Sequence, residues 1–160
     1  PHSYLFFRGT DMTHTEKALL FFAQGFQCSQ AVFAAFSEET GISETQARKI
    51  GACFGGGMCK GEVCGACSGA LMVLGMLFGY SDIGDAEGKA KTNQIAEQFL
   101  DAFKEEQGSY LCKDILGCNL AENAGRIYAK EQNLFTAICP QMVASAVKIV
   151  EKIIEENTSI

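Results

Sequence analysis

From Val63 to Tyr80 the chain runs for 18 residues without a charge, VCGACSGALMVLGMLFGY, and this segment limits the fold more than any other. An apolar run of that length reaches the threshold for a membrane span. Its four glycines, two cysteines and one serine lower the hydrophobicity, and no basic cluster flanks it. It therefore reads as a buried central helix and not as a span. Gly61, Gly65 and Gly69 recur every four residues, which would leave a smooth stripe on which a second helix can close. Gly75 and Gly79 continue the small-residue theme.

The flanking segments are helical by the same test. EKALLFFAQGF, starting from Thr13 or Thr15, has apolar residues at helical spacing and stops near Gly25. A second helix is expected from Cys28 to Glu39, closed by Gly41. Ser43 then caps a third, with Ser43 and Gln46 matching a capping box. GGGMCKG is too rich in glycine for a helix and is expected to be a loop. Asp82 or Asp85 opens a long charged helix whose inner face carries Ile95, Phe99, Leu100 and Phe103, and Gly108 stops it. Ser109 is expected to cap a short helix with Cys112 at its third position, and LAENAGRIYAKEQN supplies another short piece. Pro140, in the favoured first position, opens a last helix with Val143, Val147, Val150 and Ile154 on one stripe and Cys139 at its N-cap.

No segment alternates as a half-buried strand does. The expectation is an all-α, single-domain bundle of about six or seven helices over residues 12–160, built round the glycine-rich helix. The stretch PHSYLFFRGTD resembles a protease-cleavage tag joined to a cloning remnant, so residues 1–11 are expected to lie outside the domain and Met12 to be the native start.

Eight cysteines demand a separate explanation, because 48% hydrophobic content suffices for a core without disulfides. Cys28, Cys64, Cys112 and Cys139 each fall where a helix is expected to begin. A first turn presents unpaired N–H groups and a partial positive charge, which favour the thiolate, and thiolates are the nucleophiles and metal ligands. If the four converge, their helices would stabilise an anionic sulfur cluster or sulfurs bound to iron or zinc. Cys64 and Cys67 have the spacing of a dithiol motif. A thioredoxin-like site would need a preceding strand in a βαβ unit, which is missing. Zinc spacing is incomplete: no second CxxC or histidine pair follows, and His2 and His14 both lie near the N-terminus, His14 reading as a solvated first-turn residue. Cys53 and Cys67 read as inert buried thiols. The spacings of Cys53 with Cys59, flanking the glycine loop, and of Cys112 with Cys118 decide little.

The net charge of −6, with no block of Lys or Arg and no Trp, argues against nucleic acid or an anionic membrane surface as partner. No basic, apolar and small-residue succession marks a secretory signal, so a cytoplasmic location is expected. In a reducing compartment, many cysteines point to metal, catalysis or redox sensing.

CSQAV, GEVCGACSGALMVLG, LCKDILGC and CPQMVASAVKIVEKI, in that order, resemble the redox-active protein family named for the pattern C…GCAxxG…C…C, over nearly everything after Met12. By that likeness Cys28, Cys112 and Cys139 match the first, third and fourth family cysteines, and Ala66 and Gly69 match AxxG. Where the pattern has Gly-Cys before the alanine, this chain has Cys64-Gly65, a displacement of one residue, about 100° around a helix. Cys64 stands as the second site cysteine, with Cys67 as the alternative. The resemblance implies a small helical bacterial or archaeal protein acting in redox chemistry, and makes an iron–sulfur centre a credible cofactor.

The expected function is thus a redox-active, oxidoreductase-type protein whose cluster cycles between dithiol and disulfide or holds an iron–sulfur centre for electron transfer. Cys28 or Cys64 is the expected exposed sulfur, Cys112 and Cys139 complete the site, and Cys67 and Cys118 are further cofactor-binding candidates. GGGMCKG is read as a flexible lid over Cys64, with Lys60 adding positive charge. The partner would be a redox protein, a small-molecule thiol or an electron carrier, and a homodimer is allowed. The alternatives are a four-cysteine zinc site without turnover and a helical interaction module with buried cysteines.

Overall fold

The computed structural model describes residues 12–158, and the tag-like segment 1–11 lies outside the described residues. Helix α1 (His14–Ala23) is opened by a complete capping box, in which the Thr13 hydroxyl accepts from the Glu16 N–H and the Glu16 carboxylate accepts from the Thr13 N–H. There follow α2 (Cys28–Ala35), α3 (Ser37–Thr40), α4 (Glu44–Gly51), α5 (Gly65–Phe78), α6 (Ala86–Gln107), α7 (Cys112–Leu116), α8 (Asn123–Glu131), α9 (Leu134–Ala137) and α10 (Cys139–Thr158). Among the described residues there is no strand, only a single antiparallel bridge between Val63 and Leu111.

The all-α expectation holds, but the described residues form ten α-helices where six or seven helices were expected. The chain breaks into shorter pieces for local reasons. Phe36 leaves helical geometry at φ −107°, ψ 25°, and splits the segment 28–40 in two. Its fully buried ring stacks on His14 at 4.2 Å. Pro140 has no N–H to give the Thr136 carbonyl, so the last helix kinks at Ile138 and starts again at Cys139. The run from Leu134 to Thr158 is, at 25 residues, long and apolar enough for a membrane span by length and composition. Its apolar stripe of Val143, Ala146, Val147, Val150 and Ile153 is nonetheless buried in the core, against α1, α2, α5 and α6.

α2 is the most enclosed element, not the glycine-rich α5. Ser29 and Ala31 to Ala35 are all buried, held among α1, α4, α5 and α10. α5 buries its first half and exposes Gly75 and Met76. The contact between α2 and α5 depends on small residues: a Cβ added at Gly69 would sit 2.6 Å from the Ser29 carbonyl oxygen. On the opposite side the Ser29 hydroxyl donates to the Gly51 carbonyl at 2.7 Å. Gly61 does not share the helical stripe, because it closes a separate turn before α5 begins.

Two further expectations are corrected. His14 is not simply solvated: its ring nitrogens contact Glu39 at 2.6 Å and Glu151 at 2.8 Å, tying α1 to α3 and α10. Burial alone would lower its pKa, but the bonds to the two carboxylates outweigh burial and raise it. The Ser43 box is half formed; its hydroxyl accepts from the Gln46 N–H, while the Gln46 side chain takes the hydroxyl proton instead of reaching the backbone.

Substitution of Gly69 by Ala is expected to destabilise the fold by about 1–3 kcal/mol, since backbone must move to admit the methyl. A methyl at Gly75 meets nothing within 4 Å, so Gly75→Ala should be neutral or stabilising by up to about 1 kcal/mol. Denaturant unfolding of the two variants checks the contrast.

Candidate functional site

Two backbone hydrogen bonds flank the Val63–Leu111 bridge. The Cys64 N–H donates to the Tyr110 carbonyl at 2.8 Å and the Cys112 N–H donates to the Glu62 carbonyl at 2.6 Å. They clasp the start of α5 to the start of α7 and set Cys64 and Cys112 on one wall. Ser109, expected as the cap of α7, accepts from the Leu111 N–H and donates to Asp114, which leaves Cys112 as the first helical residue and not the third. Cys139 is likewise the first residue of α10 and not its N-cap.

The opposite wall is the start of α2. The Gln27 side chain donates to the Ala52 carbonyl and Gln30 accepts from the Gln27 N–H, which anchors this helix end with Cys28 as its first residue. A Cβ built on Gly65 would lie 2.5 Å from the Cys28 sulfur. Position 65 therefore aims at Cys28, and Cys64 reaches the same sulfur from the adjacent residue. The displacement of about 100° does not apply, because Cys64 is the N-cap of α5 with non-helical geometry, φ −50° and ψ 131°, and lies outside the helix proper. Cys67 is fully buried behind it in the core and does not line the cavity.

Between these walls is a cavity of about 700 Å³ lined by Cys28, Cys64, Cys112 and Cys139, each from a different helix start. Its remaining lining is mostly apolar, from Phe22, Ile115, Leu116, Leu120, Phe135 and Met142, with Arg126 and Lys130 from α8. Cys59 also lines it, a residue whose sequence spacing decided nothing and whose one signal was its place beside the glycines. Cys118 does not; it packs with Leu116, Leu120 and Ala129 in a small satellite cluster behind Cys112.

The glycine segment forms the near rim. It is a wound turn, Gly57–Gly61, and not the simple flexible loop expected from its composition. Gly56, Gly57, Met58 and Cys59 have φ of 63°, 64°, 57° and 61°, four successive left-handed residues. Gly57 must be glycine, since a Cβ there would collide with the backbone of Glu62. Met58 and Cys59 hold the same geometry with side chains, at a cost of about 1–2 kcal/mol each. Cys53, expected to be buried, is exposed before this turn, as is Cys59 within it.

The electrostatics reverse the thiolate expectation. The Cys28 thiol donates to Cys64, which together with burial holds its pKa well above the usual range; N–H groups of Gly56 and Ser29 oppose this and are outweighed. For Cys64 the bond from Cys28 favours the thiolate, but its own bond to Cys67 and its burial push the pKa up. Burial, with neighbouring sulfurs adding to it, pushes Cys112 and Cys139 up to about 12. Helix starts are outweighed here by an apolar setting shared among like-charged groups. Cys64 is only 6% exposed and Cys28 half-buried, so Cys64 is not the exposed sulfur the sequence suggested.

Among the described residues, no three Cys, His, Asp or Glu side chains are grouped to hold a single metal ion. A zinc site of four cysteines is thus not preformed.

A family model described as "Putative redox-active protein (C_GCAxxG_C_C)" matches residues 26–153, a span that contains all eight cysteines. No curated protein and no solved structure matches the chain.

Two outcomes are expected. In reduced, metal-free protein at neutral pH, an alkylating reagent should label the exposed Cys53 and Cys59 well before Cys64, read by peptide mass spectrometry. The folded pKa values of Cys112 and Cys139 lie above the ordinary 9.0. Their contribution to stability is therefore complete below pH 9 and lost as pH rises toward 12. The urea midpoint should fall less steeply above pH 9 in Cys112→Ala/Cys139→Ala than in the parent chain.

Proposed function

The chain belongs to this redox-active family, and we propose that its activity is a two-electron dithiol–disulfide exchange carried by Cys28 and Cys64 in the cytoplasm. The observation that carries the reading is geometric: both cysteines line one cavity, and the Cys28 sulfur lies against Gly65, the residue next to Cys64. Cys28 is the more accessible of the two and attacks a substrate disulfide, R–S–S–R. The substrate S–S bond breaks, the first R–S⁻ leaves with the Cys28 proton, and a mixed disulfide remains. Cys64, already in contact, then displaces the second thiol and closes the Cys28–Cys64 bond. Two electrons and two protons pass from the pair to the two released thiols. Both end states, dithiol and disulfide, are uncharged, which suits an apolar site where an unpaired anion is costly. A reducing compartment suits a chain with eight cysteines whose hydrophobic content suffices for a core without disulfides.

A second reading has its own support. Cys28, Cys64, Cys112 and Cys139 ring a cavity far larger than one ion needs, and four cysteine thiolates are the usual ligands of an iron–sulfur cluster. Those four residues would hold it, and the bound cluster would supply one-electron transfer. The chain's part is to shield the sulfurs from water with Phe22, Leu116, Leu120 and Met142, while iron would offset the charge that burial penalises.

One equivalent of a small-molecule disulfide, added to reduced protein under exclusion of oxygen, should produce an intramolecular Cys28–Cys64 bond by peptide mapping. Cys64→Ser should abolish it and leave a mixed disulfide trapped on Cys28. A bond confined to Cys53 and Cys59, with Cys28 and Cys64 still reduced, would defeat the exchange reading. Reconstitution with iron and sulfide decides the second: visible colour lost in Cys112→Ser and Cys139→Ser but kept in Cys53→Ser supports it, and no colour in the parent protein refutes it.

A further inference from the structure

The cavity has a feature that thiol chemistry alone does not use. Arg126 and Lys130, one turn apart on α8, both line it. Their position is set by packing: Ala129, on the same face, is fully buried, and Gly125 lies so close to the Asn119 carbonyl that no Cβ could be admitted. Arg126 spends one N–H on the Leu120 carbonyl, at 2.7 Å, which orients its guanidinium at the mouth. Neither cation forms an ion pair among the described residues, although the chain carries a net charge of −6. No Asp or Glu is among the described residues that line the cavity. Two cations left without acidic partners in an acidic chain, above apolar walls of Phe22, Leu120, Phe135 and Met142, form a site with a definite polarity.

We propose that this cavity selects small molecules with an apolar body and an anionic end, carboxylate or phosphate. The anion meets Arg126 and Lys130, and the body lies on the aromatic and aliphatic wall with its sulfur-reactive group toward Cys28. The volume of about 700 Å³ falls within the range of small-molecule sites, roughly 300–1,000 Å³. A guanidinium and an ammonium at an apolar mouth favour such an anion over neutral or cationic molecules of the same shape. The proposal names the substrate class of the exchange reaction, and rests on that reading only for what happens after binding.

The test uses two aromatic disulfides of similar shape: dithiobis(nitrobenzoate), with two carboxylates, and dithiodipyridine, uncharged at neutral pH. Rates at Cys28 are followed in a Cys53→Ser/Cys59→Ser background that removes the exposed thiols. Arg126→Gln/Lys130→Gln should slow the carboxylated probe on the order of tenfold and leave the neutral probe within about twofold. Equal effects on both probes, or none, overturn the proposal. Binding of anilinonaphthalene sulfonate to the Cys28→Ser/Cys64→Ser protein, read by fluorescence, separates it from the redox reading. If neither disulfide reacts at Cys28 yet the sulfonate binds and is weakened by Arg126→Gln/Lys130→Gln, the selection of anions stands and the exchange reaction falls. Should the double variant unfold, Lys130→Glu, a change at an exposed position, is expected to weaken the sulfonate still further, and unchanged binding there overturns the proposal.

Discussion

The site is held by two reciprocal backbone hydrogen bonds, from Cys64 to Tyr110 and from Cys112 to Glu62. Neither α5 nor α7 could place its first residue beside the other by helix packing alone, since α7 is a single short turn and its neighbours are loops. The clasp converts two distant segments into one wall. The facing wall follows from the absence of side chains: Gly69 lets α5 press against the backbone of α2 at Ser29, and Gly65 leaves room for the Cys28 sulfur beside Cys64. The long helix α10 then brings Cys139 to the same cavity, because its buried stripe aligns it against α1, α2, α5 and α6.

This construction opposes ionisation of the sulfurs. Helix starts and the N–H groups of Gly56, Ser29 and Ala66 favour thiolates at Cys28 and Cys64, yet the net direction is upward at Cys28, Cys64, Cys112 and Cys139. Burial removes water from each, and each is a prospective like charge to the next. Such a cluster is suited to uncharged states, or to a cationic centre that neutralises several sulfurs together. Arg126 and Lys130 line the same cavity from α8.

Much of the fold was legible because it is encoded locally. Asp85 and Ser43 cap the helices they precede, and Gly41 and Gly108 stop theirs in left-handed geometry, each a matter of a few adjacent residues. The placement of four cysteines at helix starts belongs to the same category, so Cys28, Cys64, Cys112 and Cys139 could be singled out. What escaped depends on contacts between remote residues. The bridge at Val63 and Leu111 has no alternating pattern to announce it, and the break at Phe36 reflects a ring stacked on His14. The exposure of Cys53 and the approach of Cys59 to the cavity both follow from the left-handed turn, which a glycine run permits but does not specify. Thiol acidity was misjudged for a similar reason: helix position is visible in sequence, and burial among other sulfurs is not.

We place Cys28 and Cys64 in one redox couple. Equilibration of the protein across a series of thiol–disulfide buffers, followed by acid quenching and alkylation with quantitative peptide mapping, tests it most directly. A single couple requires Cys28 and Cys64 to become protected from alkylation together, at one two-electron midpoint, while Cys53 stays reactive throughout. Separate midpoints for the two residues, or protection of either without the other, would contradict it.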